Sequence, residues 1–182
     1  MHLTLILGPM KSGKSFDLIS HFSPLQYTTS KFALYQPERN VRDTGIESRS
    51  GLFIQAQKIT SLQEILNEEL SLVGIDEIHM FEPSDVRYIG DLLSRGTDVI
   101  VSGLDTDYRG ELFEMTKKLF ELGPREVKYK RAVCNDCKNF TAVYTQIYTE
   151  GKPLMGGMPP VIPDDGTFTY EPLCRKCFVS SI

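Results

Sequence analysis

The sequence predicts an α/β fold, a parallel sheet flanked by helices with a small C-terminal module. Three observations carry this. Continuous apolar runs at residues 3–7, 72–75 and 98–103 alternate with segments of helical periodicity. That is the pattern of strands buried on both faces and joined by helices. The first run ends in a Gly-containing turn that opens a helix. Beyond Gly123-Pro124 the pattern changes to alternating strand-like runs that carry all four Cys. The expected division is therefore 1–125 for the sheet domain and 126–182 for the module.

The elements follow in order. Leu3–Leu7 reads as a buried strand and Ser15 onward as a short helix ending near Pro24, with Leu18, Ile19 and Phe22 on one side. Lys31–Gln36 is a second strand, and the polar stretch Pro37–Gly51 a surface loop. Ser61 and Glu64 form a capping box at the start of a helix bearing Leu62, Ile65, Leu66 and Leu70. Leu72–Ile75 is a third strand. Ser84 is placed as the cap of a helix with Val86, Ile89, Leu92 and Leu93. Asp98–Gly103 is a further strand and Phe113–Leu122 a helix.

Composition sets limits on function. Of 182 residues, 41% are apolar and 24% charged, which excludes long disorder, collagen and coiled coil. The net charge is −4 and no basic stripe is present, so a nucleic-acid partner is not expected. Lys128, Lys130 and Arg131 read as a solvated strand face. No run approaches the ~18 apolar residues of a membrane span, so no membrane partner is expected. The N-terminus lacks the basic region and cleavage site of a signal peptide. The expected compartment is the cytoplasm, where thiols stay reduced and four Cys point to metal.

Gly8-Pro9-Met10-Lys11-Ser12-Gly13-Lys14-Ser15 fits the pattern G-x-x-x-x-G-K-S/T after a strand and before a helix. The glycines let backbone N–H groups approach phosphate oxygens, and the helix N-terminus adds partial positive charge. Lys14 supplies a point charge to the β- and γ-phosphates, and the Ser15 hydroxyl can ligate Mg²⁺. This loop is the candidate ATP site. Lys11 is an extra cation that reads as a solvated surface lysine, with phosphate contact as the alternative.

The third strand ends in Asp76-Glu77. Asp76 is the second candidate magnesium ligand, facing the phosphates from a neighbouring strand end. Glu77 is the candidate general base for an attacking hydroxyl, with a helix cap or a solvated group as the alternative. His79, His2 and His21 read as packing or surface residues.

Cys134 and Cys137 form one C-x-x-C pair and Cys174 and Cys177 another, with 36 residues between them. Two such knuckles supply the four thiolates of a structural zinc site, with redox disulfides or unrelated buried thiols as the alternative. Zinc would clamp the base of the intervening loop and leave its tip free to serve as a substrate lid.

Together these residues resemble the cytosolic, zinc-containing thymidine kinase family. The resemblance rests on GPMKSGKS at Gly8–Ser15, ESRSG at Glu47–Gly51, IDE at Ile75–Glu77, GLDTDYRGELF at Gly103–Phe113 and TYEPLCRKC at Thr169–Cys177. It implies a P-loop sheet with a zinc-bound lasso. The implied reaction is transfer of the γ-phosphoryl of ATP to the 5′-hydroxyl of thymidine, giving dTMP in nucleotide salvage. It also implies that Glu77 is the base and that Met10, Leu104, Tyr108, Arg109, Phe113 and Tyr170 contact the nucleoside. A homotetramer inhibited by dTTP is implied as well. The chain departs from the family pattern at Asn40, His79, Met80, Ile147 and the lasso tip Pro160–Gly166. Those departures leave two alternatives, a kinase for another nucleoside and a nucleotide-binding regulator without catalysis.

Overall fold

The computed structural model describes residues 1–40, 45–48, 51–162 and 166–178. The chain runs β1 (Leu3–Leu7), α1 (Lys14–Phe22), β2 (Phe32–Pro37), β3 (Ile46–Glu47), β4 (Phe53–Ile54), β5 (Gln57–Ile59), β6 (Leu72–Ile75), α2 (Val86–Ser94), β7 (Asp98–Gly103), α3 (Glu114–Glu121), β8 (Glu126–Tyr129), β9 (Tyr144–Thr149), β10 (Lys152–Pro153) and β11 (Thr169–Leu173). Six strands form one sheet in the order β5-β2-β6-β7-β1-β8. Every pairing in it is parallel. Among the described residues, no helix is long and apolar enough to cross a membrane.

The continuous apolar strands are explained by burial on both faces. Leu3, Leu5 and Leu7 of β1 join one core with Val73, Ile75, Val99 and Val101, against α2 and α3. Ile6 and Ile100, at alternate positions, join the other core with Leu18, Ile19 and Phe22 of α1. Successive side chains point to opposite faces, so a strand covered on both sides is apolar at most positions.

Several expectations change. The Ser61–Glu64 capping box forms, but it opens a six-residue 3₁₀ helix, Leu62–Asn67, rather than an α-helix. Ser84 does not cap α2; it lies inside a 3₁₀ turn, and Asp85 is the N-cap residue without a side-chain cap bond. The Asp85 carboxylate instead accepts from Ser61 Oγ and Leu62 N–H, each at 2.9 Å. Of the loop expected over 37–51, residues 41–44 and 49–50 lie outside those described. Ile46 and Ser48 are buried there, and β3 pairs with β4, so this stretch is not wholly surface. β8 pairs with β1 inside the large sheet, so the division at about residue 125 falls before the last large-sheet strand rather than after it. The smaller sheet that follows is antiparallel, in the order β10-β9-β11.

Candidate active site

Parallel strands deliver their carboxyl ends to one edge, the place where open α/β sheets bind ligands. Here β1, β6 and β7 release the phosphate loop, Asp76-Glu77 and Leu104 at that edge. A cavity of about 670 Å³ opens there. Met10, Lys11, Ser12, Gly13, Lys14, Ser15, Asp76, Glu77, Leu104, Tyr108, Phe113 and Tyr170 all line it. Gly8, Pro9 and Arg109 are not among its lining residues.

The loop is built by backbone freedom and close approach. Gly8 has φ +145°, and a Cβ there would stand 2.5 Å from the Lys130 carbonyl oxygen at the end of β8. Gly13, the N-cap of α1, is left-handed at φ 80°. Lys14 is buried, and its Nζ donates to the Pro9 carbonyl oxygen at 2.8 Å. Pro9 therefore acts from behind the cavity, by holding the lysine. Ser12 Oγ is buried with no hydrogen-bond partner among the described residues, an arrangement that suits an incoming acceptor such as a phosphate oxygen. The Met10 N–H is taken by Thr145 Oγ1 at 3.0 Å. Met10 thus gives the cavity its side chain, and its amide serves the contact with β9.

Asp76 is buried at the end of β6. Its Oδ2 accepts from Ser15 Oγ at 3.0 Å, and its Oδ1 accepts from Ser102 Oγ and from the Glu77 N–H. Burial, with the Glu77 charge beside it, pushes the Asp76 carboxyl up to about 6, against the pull of these donors. Mg²⁺ takes oxygen ligands at ~2.1 Å in octahedral geometry, so two neighbouring ligand oxygens lie ~3.0 Å apart. The Ser15–Asp76 separation fits such an ion.

Glu77 sits in the left-handed region at φ 50°, ψ 41°. A non-glycine residue there costs ~1–3 kcal/mol and is held only when its surroundings dictate it. The turn directs the side chain into the cavity, about one-third exposed. His79, two residues on, is buried with its ring 4.9 Å from that of Phe113. Its Nδ1 accepts the Leu104 N–H at 3.2 Å. Burial and the Lys14 charge push the imidazole down to about 3, so the ring is neutral. His79 is a packing residue that fixes the start of the loop after β7, as its sequence context suggests.

The opposite wall is apolar. Tyr108, Ile147 and Ile162 form a buried cluster joined by Leu154, Phe168 and Tyr170. Tyr108 OH donates to the Met158 carbonyl at 2.8 Å, and Tyr170 OH to that of Ile162 at 3.3 Å. Arg109 pairs with the buried Asp107, Nε to Oδ2 at 2.8 Å and Nη2 to Oδ2 at 2.6 Å. The guanidinium lies 5.7 Å from the ring centroid of Tyr108, beside the cavity and outside its lining. Pro163 and the following two residues of the lasso tip lie outside the described residues.

Some residues that shape the site were not singled out from the sequence, among them Thr145 and Asp107 of the lining and Ser102 behind Asp76. Thr145 and Ser102 match no motif, and Asp107 lies within GLDTDYRGELF without being singled out; each acts by reaching an element distant in the chain or by folding a turn back on itself.

The four Cys converge: their Sγ atoms all lie within 4.8 Å of one another. Zn–S bonds of ~2.3 Å in a tetrahedron place sulfurs ~3.8 Å apart, and Cys137 and Cys174 stand at 3.8 Å. Burial pushes the Cys134 thiol up, but N–H donors led by Cys174 outweigh it and bring it down to about 6. The Cys177 N–H leads the donors that lower Cys174. Soft sulfur donors partly poised as thiolates suit zinc.

The thymidine kinase family model matches residues 1–178. A thymidine kinase of Mycoplasma mobile is 32% identical over 181 residues, covering 96% of this chain and 86% of that protein. A solved structure described as an ATPase aligns with 99% of this chain and 82% of its own, at 10% identity and a TM-score of 0.48.

Proposed function

Because the chain belongs to the thymidine kinase family, we propose that it transfers the γ-phosphoryl group of ATP to the 5′-hydroxyl of thymidine, releasing ADP and dTMP. One observation carries the reading: a single cavity holds the phosphate loop and Glu77 on one side and an apolar wall on the other. ATP phosphates would lie over Gly13, Lys14 and Ser15, with the Ser12 hydroxyl free to donate. Thymidine would lie among Met10, Leu104, Tyr108, Phe113 and Tyr170, a wall suited to a pyrimidine with a methyl group.

The 5′-oxygen forms a bond to the γ-phosphorus as the bridging oxygen to the β-phosphorus leaves with ADP. Glu77 takes the hydroxyl proton. Its left-handed backbone fixes the carboxylate toward the acceptor before substrate arrives, which is positioning of the kind that lowers barriers most. Lys14 offsets phosphate charge. Mg²⁺ bound with ATP neutralises the charge that develops on the phosphates, and Ser15 and Asp76 are the residues that would hold it. Zn²⁺ at Cys134, Cys137, Cys174 and Cys177 would act structurally, holding the base of the lid formed by the module.

The net charge of −4 supports the absence of a nucleic-acid partner. Free thiols in a metal-binding constellation suit a reducing cytoplasm. A homotetramer and inhibition by dTTP are part of the same reading, through the family. The test is turnover of purified protein with ATP and a panel of deoxynucleosides. Thymidine should show the highest kcat/KM; a higher value for deoxycytidine or a purine deoxynucleoside would exclude it as the acceptor.

A further inference from the structure

We propose that Phe178 is a positioning residue for the nucleoside side of the cavity, acting through Gly110 and Tyr144. The proposal rests on the reading above that Tyr108 and its neighbours receive the nucleoside.

Tyr108 lies in a turn that is rigid within itself. The Asp107 carboxylate accepts the N–H groups of Arg109 at 2.9 Å and Glu111 at 3.1 Å, and the Gly110 N–H reaches the Asp107 carbonyl at 3.0 Å. The Arg109 guanidinium closes on the same carboxylate. Such a turn moves as one body, so the placement of Tyr108 depends on what the turn rests against.

It rests on two stacked rings. The Tyr144 and Phe178 rings lie 4.4 Å apart at 22°. Gly110, at φ +83°, packs on them so closely that a Cβ would stand 3.2 Å from Phe178 and 3.4 Å from Tyr144. The stack is anchored on both sides. Phe178 directly follows Cys177, and its N–H donates to the Cys174 carbonyl at 2.9 Å. Tyr144 opens β9, whose next residue, Thr145, holds the Met10 N–H. The Arg175 guanidinium lies 5.6 Å from the Tyr144 ring centroid. The second Cys knuckle therefore bears on the cavity through one ring, touching Tyr108 by way of Gly110 and Thr145 by way of Tyr144. The route through Thr145 ends at the Met10 N–H, whereas Lys14 is held by Pro9 and Ser15 by Asp76, so ATP binding should change far less than nucleoside binding.

The test is Phe178→Ala, read by substrate constants, zinc content and hydrogen exchange. KM for thymidine should rise about three- to tenfold, the range of one lost aromatic contact. KM for ATP and the bound zinc should stay unchanged. Amide exchange should quicken over residues 106–111 and stay constant over 12–15. Equal rises in both KM values, loss of zinc, or an unaltered thymidine KM with unaltered exchange would overturn the proposal. Gly110→Ala attacks the same contact from the other side and decides the matter if Phe178→Ala does not fold. If wild-type protein turns over no thymidine, the thymidine reading fails, and the exchange pattern alone decides this one.

Discussion

The Glu77 Oε2 atom stands 3.5 Å from Nδ1 of His79, and no hydrogen bond joins them. Nδ1 already accepts the Leu104 N–H, so its lone pair, not a proton, serves that contact. The imidazole is also neutral at ordinary pH, so it gives the carboxylate no counter-charge. The closeness of the two side chains in space is a result of the tight turn after β6, and they make separate contacts. Glu77 faces the cavity, where we propose it acts as base, whereas His79 braces Leu104.

Glu77→Gln should lower kcat by ~10²–10⁴-fold, the usual loss when a general base is removed. ATP affinity should change little. Lys14→Ala should instead weaken nucleotide binding and turnover together, since that charge meets phosphate in ground and transition states. Steady-state kinetics with nucleotide-binding titrations separates the two patterns; near-full turnover by Glu77→Gln removes the base assignment.

His79→Gln should keep kcat/KM near wild type, because an amide oxygen can accept the Leu104 N–H in place of Nδ1. His79→Leu leaves that N–H without its partner and should cost ~1–3 kcal/mol of stability where the group stays buried. Urea unfolding compares the variants. Equal stability of the Leu and Gln forms would show that the bond to Leu104 carries nothing.

Gly8→Ala should destabilise the protein more than Gly13→Ala. Both glycines have positive φ, where a side chain costs ~1–2 kcal/mol. Only at Gly8 does the new Cβ also meet backbone, the Lys130 carbonyl, while at Gly13 it meets nothing within 4 Å. Thermal unfolding of both variants should rank them in that order, and the reverse order would contradict the close approach of β8 to the loop.

Asp85→Ala should destabilise by ~1–3 kcal/mol, because it strips a buried acceptor from Ser61 Oγ and the Leu62 N–H. Asp85→Asn keeps one acceptor oxygen and should lose less. Denaturant midpoints give the comparison, with kcat/KM at the substrates' own concentrations expected to hold in both.

Chelation of zinc should melt the smaller sheet before the larger one. Purified protein should hold one Zn²⁺ per chain with four unreactive thiols. After chelation all four should react, and exchange should quicken over β9 and β11 ahead of β1, β6 and β7. Structural zinc contributes folding free energy directly. Well under one metal per chain, with all thiols reactive at the outset, would exclude the site.

The sequence by itself determined the parts whose physics is local. Gly8, Gly13, Lys14 and Ser15 stand at fixed spacing because a phosphate loop needs two bending points and one cation within a single turn. The two C-x-x-C knuckles are equally local, as each must offer two sulfurs to one ion. The strands at Leu3–Leu7, Leu72–Ile75 and Asp98–Gly103 were legible because burial on both faces favours apolar residues at most positions. Tertiary structure decided the rest. Asp85 could be a cap in either direction until the fold set it beside Ser61, 24 positions away in the chain. The pairing of Arg109 with Asp107 was set only when the turn closed. Thr145 carries no signal at all, and its hydroxyl acquires a role only because β9 passes within 3.0 Å of Met10, 135 positions away. A side chain's partner across such distances depends on where whole elements pack, and no spacing rule within one segment encodes that.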